Sequence, residues 1–355
     1  MLRLSVRNGR QERMSSSPRT PECAVCVDMG TTNTRVWMVH GSEILARAQA
    51  GVGVRDTARD GSPNRIRTTL RELIADVRQQ TSKSGLVDAS FVVAAGMITS
   101  ALGLAEVPHI ITPAGAEELA GAVQRHQFPD ITDIPILLVP GVRSGLRTGD
   151  LDAVVQSDVM RGEETLAVGL VALGHARPPV TVLNLGSHWK AIQLDGRGRI
   201  ESSITSISGE LIQAVQTQTI LASAIPSERP RLIDLTWCQA GMREQRRSGL
   251  PRALFCVRLL ELGGNGTPEE RLSFLVGAFV AADLDALIAR RALSTESTVL
   301  ICGGGAVAEA WRHALDKVSI PARTMNEAEI EAALLAGLRC ILELTSCRLL
   351  QEQSC

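Results

Sequence analysis

Two stretches of the chain, 156 residues apart, carry the same pattern. Val27-Asp28-Met29-Gly30-Thr31 recurs as Leu183-Asn184-Leu185-Gly186-Ser187, and the same ungapped shift sets Val36 on Ile192 and Ile44 on Ile200. Each copy is an apolar run ending in a polar side chain, then a glycine, a hydroxyl residue and a second apolar run. That order predicts strand, tight turn, strand. Turns at Gly41-Ser42 and at Asp195-Gly196-Arg197-Gly198 lead each copy into a third strand. A duplicated antiparallel meander confines a 355-residue chain to two similar α/β halves.

The segments between and after the meanders alternate in kind. Helical spacing over 65–80 (Ile66, Leu70, Leu73, Ile74, Val77) predicts a helix, as do 114–127, 162–173, 209–222, 231–246, 252–261, 268–291, 306–317 and 327–344. Apolar runs at 90–95, 134–139 and 298–302 read as buried strands, and 318–322 as a short one. The apolar stretch 272–289 contains Asp283 and Asp285, so it reads as a core helix rather than a membrane span. The first 22 residues hold five arginines, several serines and two prolines; they read as an extension outside the fold, with a transit peptide as the alternative.

Composition removes several function classes. Lys+Arg 37 against Asp+Glu 38 leaves a net charge of −1, which offers no general field for nucleic acid or an anionic membrane. Five Phe, four Trp and no Tyr are too few for a base-stacking surface. The eight cysteines lie mostly in apolar runs, and Cys23-x-x-Cys26 has no second pair to complete a zinc site. They read as buried thiols of a reducing compartment.

The turns carry the chemistry. Gly30, Thr31, Thr32 and Asn33 present successive backbone N–H groups and polar side chains at one point, a nest suited to phosphate oxygens. Asp28, at the strand end, is placed to hold the water shell of a Mg²⁺ ion. The second copy offers Gly186, Ser187, His188 and Lys190. Two such hairpins facing each other would grip a polyphosphate from both sides. Gly303, Gly304 and Gly305 follow a strand and open a helix, where bare backbone can approach a nucleotide. No Gly-Lys-Ser/Thr follows at P-loop spacing, and the dinucleotide fingerprint is absent.

The segment from Val27 to Trp37 resembles the first phosphate loop of the actin-like ATPase superfamily of sugar kinases, heat-shock ATPases and actin. Further segments resemble one family within it, the 2-dehydro-3-deoxygalactonokinases. They are Gly96-Met97-Ile98-Thr99-Ser100, Glu106-Val107-Pro108-His109, Asp158-Val159-Met160-Arg161-Gly162-Glu163-Glu164-Thr165, Asn184 to Lys190, Ser208-Gly209-Glu210-Leu211 and Phe255-Cys256-Val257-Arg258. The resemblance implies duplicated ribonuclease-H-like domains, each a mixed five-stranded sheet flanked by helices, with a cleft between residues 23–175 and 176–345 and a C-terminal tail at 346–355. It implies MgATP-dependent phosphorylation of the terminal hydroxyl of a 2-keto-3-deoxy sugar acid in galactonate catabolism, in the cytoplasm. ATP and the sugar acid are then the partners, without nucleic acid or membrane, and homodimerisation stays open.

By the same resemblance Glu163 is the expected base for the acceptor hydroxyl, with Asp158 and Glu164 as alternatives; either glutamate would also complement a helix N-terminus without catalysing anything. A substrate carboxylate favours planar bidentate recognition by arginine, and the resemblance implies Arg161 and Arg258 for it, because each sits in one of the resembling segments within an otherwise apolar stretch. Glu106 and His109 are candidates for the substrate hydroxyls, and His188 and Lys190 for the β- or γ-phosphate. Trp189 stands beside the expected phosphate contacts, where a bulky indole either alters nucleotide fit or packs outward. Two other functions remain compatible: a same-fold enzyme acting on another sugar acid or on polyphosphate, and a non-catalytic nucleotide-binding sensor of sugar acids.

Overall fold

A computed structural model describes residues 23–82, 88–145 and 151–352; the N-terminal extension expected at 1–22 lies outside them. The first half contains β1 (Cys23–Met29), β2 (Thr34–His40), β3 (Glu43–Ala50), α1 (Val54–Asp60), α2 (Asn64–Ser82) and β4 (Val92–Gly96). It continues with β5 (Ile110–Ile111), α3 (Ala116–Gly121), β6 (Gln124–His126), β7 (Ile136–Leu138), β8 (Val142–Ser144), α4 (Leu151–Val154), β9 (Asp158–Met160) and α5 (Glu163–Ala172). The second half opens with β10 (Val180–Leu185), β11 (Trp189–Leu194) and β12 (Ile200–Ser206). Helices α6 (Ser208–Gln218), α7 (Leu235–Ser248), α8 (Leu250–Leu262) and α9 (Pro268–Ala289) follow, then β13 (Thr298–Cys302), α10 (Gly305–Lys317), β14 (Ala322–Met325) and α11 (Glu327–Glu352).

Both meanders form as the sequence predicts. β1 runs antiparallel to β2 from Cys23↔His40 to Met29↔Thr34, and β10 to β11 from Val180↔Leu194 to Leu185↔Trp189. Each first strand also takes a parallel neighbour, β4 beside β1 and β13 beside β10. The second sheet has five strands in the order β12-β11-β10-β13-β14, as expected. The first has six, β3-β2-β1-β4-β7-β6, and a small third sheet, β5-β8-β9, stands apart. The expectation of two five-stranded sheets is corrected accordingly. The added strand comes from the stretch 114–127, whose helix ends at Gly121. Gln124–His126 instead pairs antiparallel with β7, and pairing across the sheet outweighs a weak local helical period. The strand expected at 318–322 forms at Ala322–Met325, and the last helix reaches Glu352.

The elements stack in five layers. The buried stripe of α2 (Ile66, Leu70, Ile74, Val77) covers one face of the first sheet, packing on Val25, Val36 and Val92. Between the two sheets lie α5 and α11, where Leu166, Leu170, Ala333 and Leu338 meet Cys26 and Val93 from one side and Val182 and Leu300 from the other. These helices cross at bare backbone: a Cβ on Gly169 would sit 1.6 Å from the Ala333 carbonyl oxygen, and one on Gly337 1.9 Å from that of Thr165. The end of the chain thus returns to the first half, and Trp37 Nε1 donates to Glu331 Oε1 at 2.8 Å to hold it there. The outer face of the second sheet is covered by α6 to α10. Among the described residues α9 alone is long and apolar enough to cross a membrane, and about two thirds of that stretch is buried within the protein (67%).

Candidate active site

The first hairpin closes with the Gly30 N–H donating to the Asn33 carbonyl at 2.8 Å, while Asn33 Nδ2 donates to Thr32 Oγ1 at 2.9 Å. Thr31 and Thr32 are half-buried and Asn33 exposed. Gly53, just past β3, supports the turn from behind: a Cβ there would lie 2.6 Å from the Gly30 carbonyl oxygen and from Thr31. The second hairpin repeats this support. A Cβ on Gly209 would lie 2.5 Å from the Ser187 carbonyl oxygen and 2.6 Å from that of Gly186, and the Glu210 N–H donates to Ser187 O at 2.9 Å. His188 Nε2 stands 3.5 Å from a Glu210 carboxylate oxygen at the mouth of this turn.

The parallel strands deliver glycines to the same places. Gly96, ending β4, approaches Met29 so closely that a Cβ would meet its carbonyl oxygen at 2.4 Å, and Gly303, after β13, would meet Leu185 Cβ at 2.7 Å. Because Asn184 pairs with Cys302, Gly303, Gly304 and Gly305 emerge beside Gly186, with Gly304 capping α10. Trp189 resolves differently from either sequence expectation. Its indole is 3% exposed and packs edge-on against Trp311 at 5.6 Å, inside the core behind the second sheet.

Asp28 stands against two backbones that lack side chains: a Cβ on Gly96 or on Gly162 would come within 3.3 or 3.7 Å of its Oδ1. Its other oxygen accepts from Arg35, Nη2 at 2.6 Å and Nε at 3.2 Å. Among the described residues no group of three or more His, Cys, Asp or Glu could hold a metal ion by itself. One carboxylate in a glycine-walled space suits Mg²⁺, which keeps several waters and binds through one or two carboxylates and phosphate oxygens.

The turn into α5 collects the remaining acids. Both Glu164 oxygens accept from the Gly162 N–H, at 2.7 and 2.8 Å, and the side chain is fully buried. Burial, with Glu163 alongside, pushes its carboxyl up to about 8. Glu163 is half-buried and accepts from the Arg161 N–H at 3.2 Å. Burial raises its pKa; Lys190 pulls it back down, and Asp28 adds a smaller upward push. Lys190 is itself buried, donating to the Val159 carbonyl at 2.7 Å and to Thr205 Oγ1 at 2.6 Å. Asp158 accepts from Thr205 Oγ1 and from the Val159 N–H, both at 2.8 Å.

Arg161 extends from the same turn. Its guanidinium donates to Thr99 Oγ1 at 2.7 Å and to the Val107 carbonyl at 2.9 Å, with His109 Nδ1 3.4 Å away. Burial lowers its pKa, while Glu164 and Glu106 oppose that shift; Glu106 itself is exposed. Thus Asp28, Asp158, Glu163, Glu164, Lys190, Arg161, His109 and Glu106 gather around residues 158–164. Arg258 does not join them: it lies on α8, paired with Glu261 and 3.2 Å from Ser223 Oγ.

The sequence assigns no role to the supports Gly53 and Gly209 or to the anchors Thr99, Thr205 and Arg35, although Thr99, Gly209 and Arg35 lie in segments that carry the resemblance. A signal for the first two was present, since the shift that aligns the hairpins also sets Gly53 on Gly209. For Thr99 and Thr205 there was none, because their partners are brought in by packing, whereas Arg35 stands opposite Asp28 in the β1–β2 hairpin, whose register follows from the turn.

The sequence model of the family described as 2-keto-3-deoxy-galactonokinase matches residues 28–341. The chain is 26% identical over 320 residues to the probable 2-dehydro-3-deoxygalactonokinase of Rhizobium meliloti (strain 1021), covering 89% of this chain and 96% of that protein. It is 25% identical over 322 residues to the 2-dehydro-3-deoxygalactonokinase of Escherichia coli (strain K12), with the same coverage of 89% and 96%. The crystal structure of a candidate 2-dehydro-3-deoxygalactonokinase from Sinorhizobium meliloti has the same fold, with a TM-score of 0.70 at 23% identity over 90% of this chain and 97% of that one.

Proposed function

The chain belongs to the 2-keto-3-deoxy-galactonokinase family and is a sugar-acid kinase, and we propose that it transfers the γ-phosphoryl group of ATP to the terminal hydroxyl of 2-dehydro-3-deoxy-D-galactonate, giving the 6-phosphate in cytoplasmic galactonate breakdown. The observation that carries this reading is that Glu163, on the turn between the hairpins, feels the charges of both Asp28 from the first and Lys190 from the second, with the adjacent Gly162 bare against Asp28.

In the proposed arrangement the chain folds as two ribonuclease-H-like lobes derived by duplication, 23–175 and 176–345, with α5 and α11 between them. Gly30–Asn33 and Gly186–His188 hold the polyphosphate through backbone N–H groups and hydroxyls. Gly303–Gly305 leave room for the nucleoside beside the second hairpin. Asp28 would hold Mg²⁺ through water, and the ion would supply charge neutralisation across the β- and γ-phosphates. Arg161, preset by Thr99 and Val107, receives the sugar-acid carboxylate, and Glu106 and His109 the hydroxyls beside it.

Glu163 serves as the base. As the terminal oxygen forms its bond to the γ-phosphorus and the bond to the β-bridging oxygen breaks, the hydroxyl proton passes to the Glu163 carboxylate and ADP leaves. Burial makes Glu163 a better proton acceptor than an exposed glutamate, and Lys190 opposes that rise in pKa. Glu164 is committed to the Gly162 N–H, and Asp158 to Thr205 and Val159, which leaves both less available.

The test is ADP release, coupled to a reporter enzyme, against a panel of 2-keto-3-deoxy sugar acids. Turnover is expected with the galacto acid and MgATP, and Asp28→Asn should abolish it while leaving the melting curve intact. Preferred turnover of another acid would reassign the substrate, and full activity of the Asp28 variant would remove the metal assignment.

A further inference from the structure

Asp283 is a carboxylate the reaction does not use, set in α9, a helix with most of its residues buried. Its neighbours on α9, Phe279, Val280, Ala281 and Leu284, are 0–1% exposed. A carboxylate placed there loses hydration, and burial raises its pKa. Among the described residues its partners are hydroxyls rather than a cation. Ser206 Oγ donates to Asp283 Oδ2 at 2.5 Å and lies 3.1 Å from Ser208 Oγ, and both serines favour the ionised carboxylate.

Those serines flank the corner beneath the second hairpin. Ser206 ends β12 and pairs with Trp189, the first residue after the turn, while Ser208 begins α6. The next two residues are Gly209, on which the Gly186 and Ser187 carbonyls rest, and Glu210, whose N–H binds Ser187. The first hairpin is supported by Gly53 in the same way, yet there the 156-residue shift puts Ala50 and Val52 where the second half has Ser206 and Ser208. The turn can therefore be supported without hydroxyls or a buried acid, so its geometry alone does not account for Asp283.

We propose that Asp283 is a positioning residue for the second phosphate turn: through Ser206 and Ser208 it fixes the corner under Gly186 and Ser187 and so sets the affinity for the nucleotide polyphosphate. The inference rests on the reading that ATP occupies that turn. It predicts a selective effect, because nothing in this network touches the Arg161 end of the site.

The experiment is ADP binding by calorimetry together with steady-state kinetics, on Asp283→Leu, Asp283→Asn and Gly186→Val. Asp283→Leu should raise the ADP Kd and the ATP KM on the order of tenfold, the scale of loss when the support of a site is loosened. The KM for the sugar acid should stay within about twofold, and hydrogen exchange at the Glu210 amide should accelerate. Asp283→Asn, which keeps an acceptor oxygen for Ser206, should recover most of the affinity. If Asp283→Leu does not fold, Ser206→Ala with Ser208→Ala carries the same expectation. Unchanged ADP affinity in whichever variant folds overturns the proposal, as does an equal rise in both KM values. Gly186→Val separates the two readings, since a side chain there has room beside the backbone but fills the turn. Loss of ADP binding in that variant with none in the Asp283 variants defeats only the positioning role. Retained binding in Gly186→Val removes the nucleotide from the turn altogether.

Discussion

Lys190 and Asp158 share one hydroxyl: Thr205 Oγ1 accepts from the Lys190 ammonium at 2.6 Å and donates to the Asp158 carboxylate at 2.8 Å. β11 and β12 of the second half are thereby tied to Asp158 in β9 of the first, four residues before Gly162. Lys190 was expected to reach the phosphates; its hydrogen bonds instead run to Val159 and Thr205, and its field falls on Glu163. Lys190→Met removes the cation that holds the raised Glu163 pKa down. Ionisation will then require higher pH, so the acid limb of the kcat–pH profile should move upward and kcat at neutral pH should fall at least about tenfold. A profile that keeps its acid limb would dissociate Lys190 from the base.

The two arginines expected at the substrate carboxylate stand in different places, Arg161 beside Thr99 and Val107 and Arg258 on α8. Arg161→Lys keeps a charge but loses the planar fork set by Thr99 and Val107, so the KM for the sugar acid should rise roughly 10- to 100-fold with the ATP KM unchanged. Arg258→Lys, on α8 beside Glu261, should leave both constants within about twofold. The reverse pattern in steady-state kinetics would exchange the two assignments.

Glu164 links stability to pH. Its carboxyl is pushed from an ordinary 4.5 up to about 8 in the folded protein, so folding favours the protonated form. That contribution is complete below pH 4.5 and disappears as pH rises through about 8. Wild-type melting temperature should therefore fall across this window relative to Glu164→Gln, whose amide still accepts from Gly162. Parallel melting curves for the two proteins from pH 5 to 8 would contradict the buried-acid assignment.

Trp189 packs into the core against Trp311 rather than over the second hairpin turn. Trp189→Phe should lower stability by about 1–2 kcal/mol in denaturant unfolding, through the lost edge contact to Trp311 and the volume removed. The ATP KM should not change. A selective rise in that KM would mean the indole reaches the nucleotide after all.

Much of the fold was legible because its signals are local. Gly30 and Gly186 mark turns whose strands alternate or run apolar over six to eight residues, and that periodicity is written in consecutive side chains. Residues 124–126 were misread for the opposite reason: they form a strand only because β7 presents its edge to them. Trp189 looked like a departure near the phosphates, but strand alternation turned it toward Trp311, which lies more than a hundred residues away.

For the site, the sequence alone determined which residue types were present and which turns would hold them, since hydrogen bonding within a hairpin involves residues only a few positions apart. What only the tertiary structure decided was the electrostatics. Asp28 against Gly96 and Gly162, Lys190 against Glu163, Arg161 on Thr99, and Arg258 apart from them all depend on elements brought together from distant parts of the chain. Charge interactions and desolvation depend on distance and burial in space, and neither can be read from spacing along the backbone.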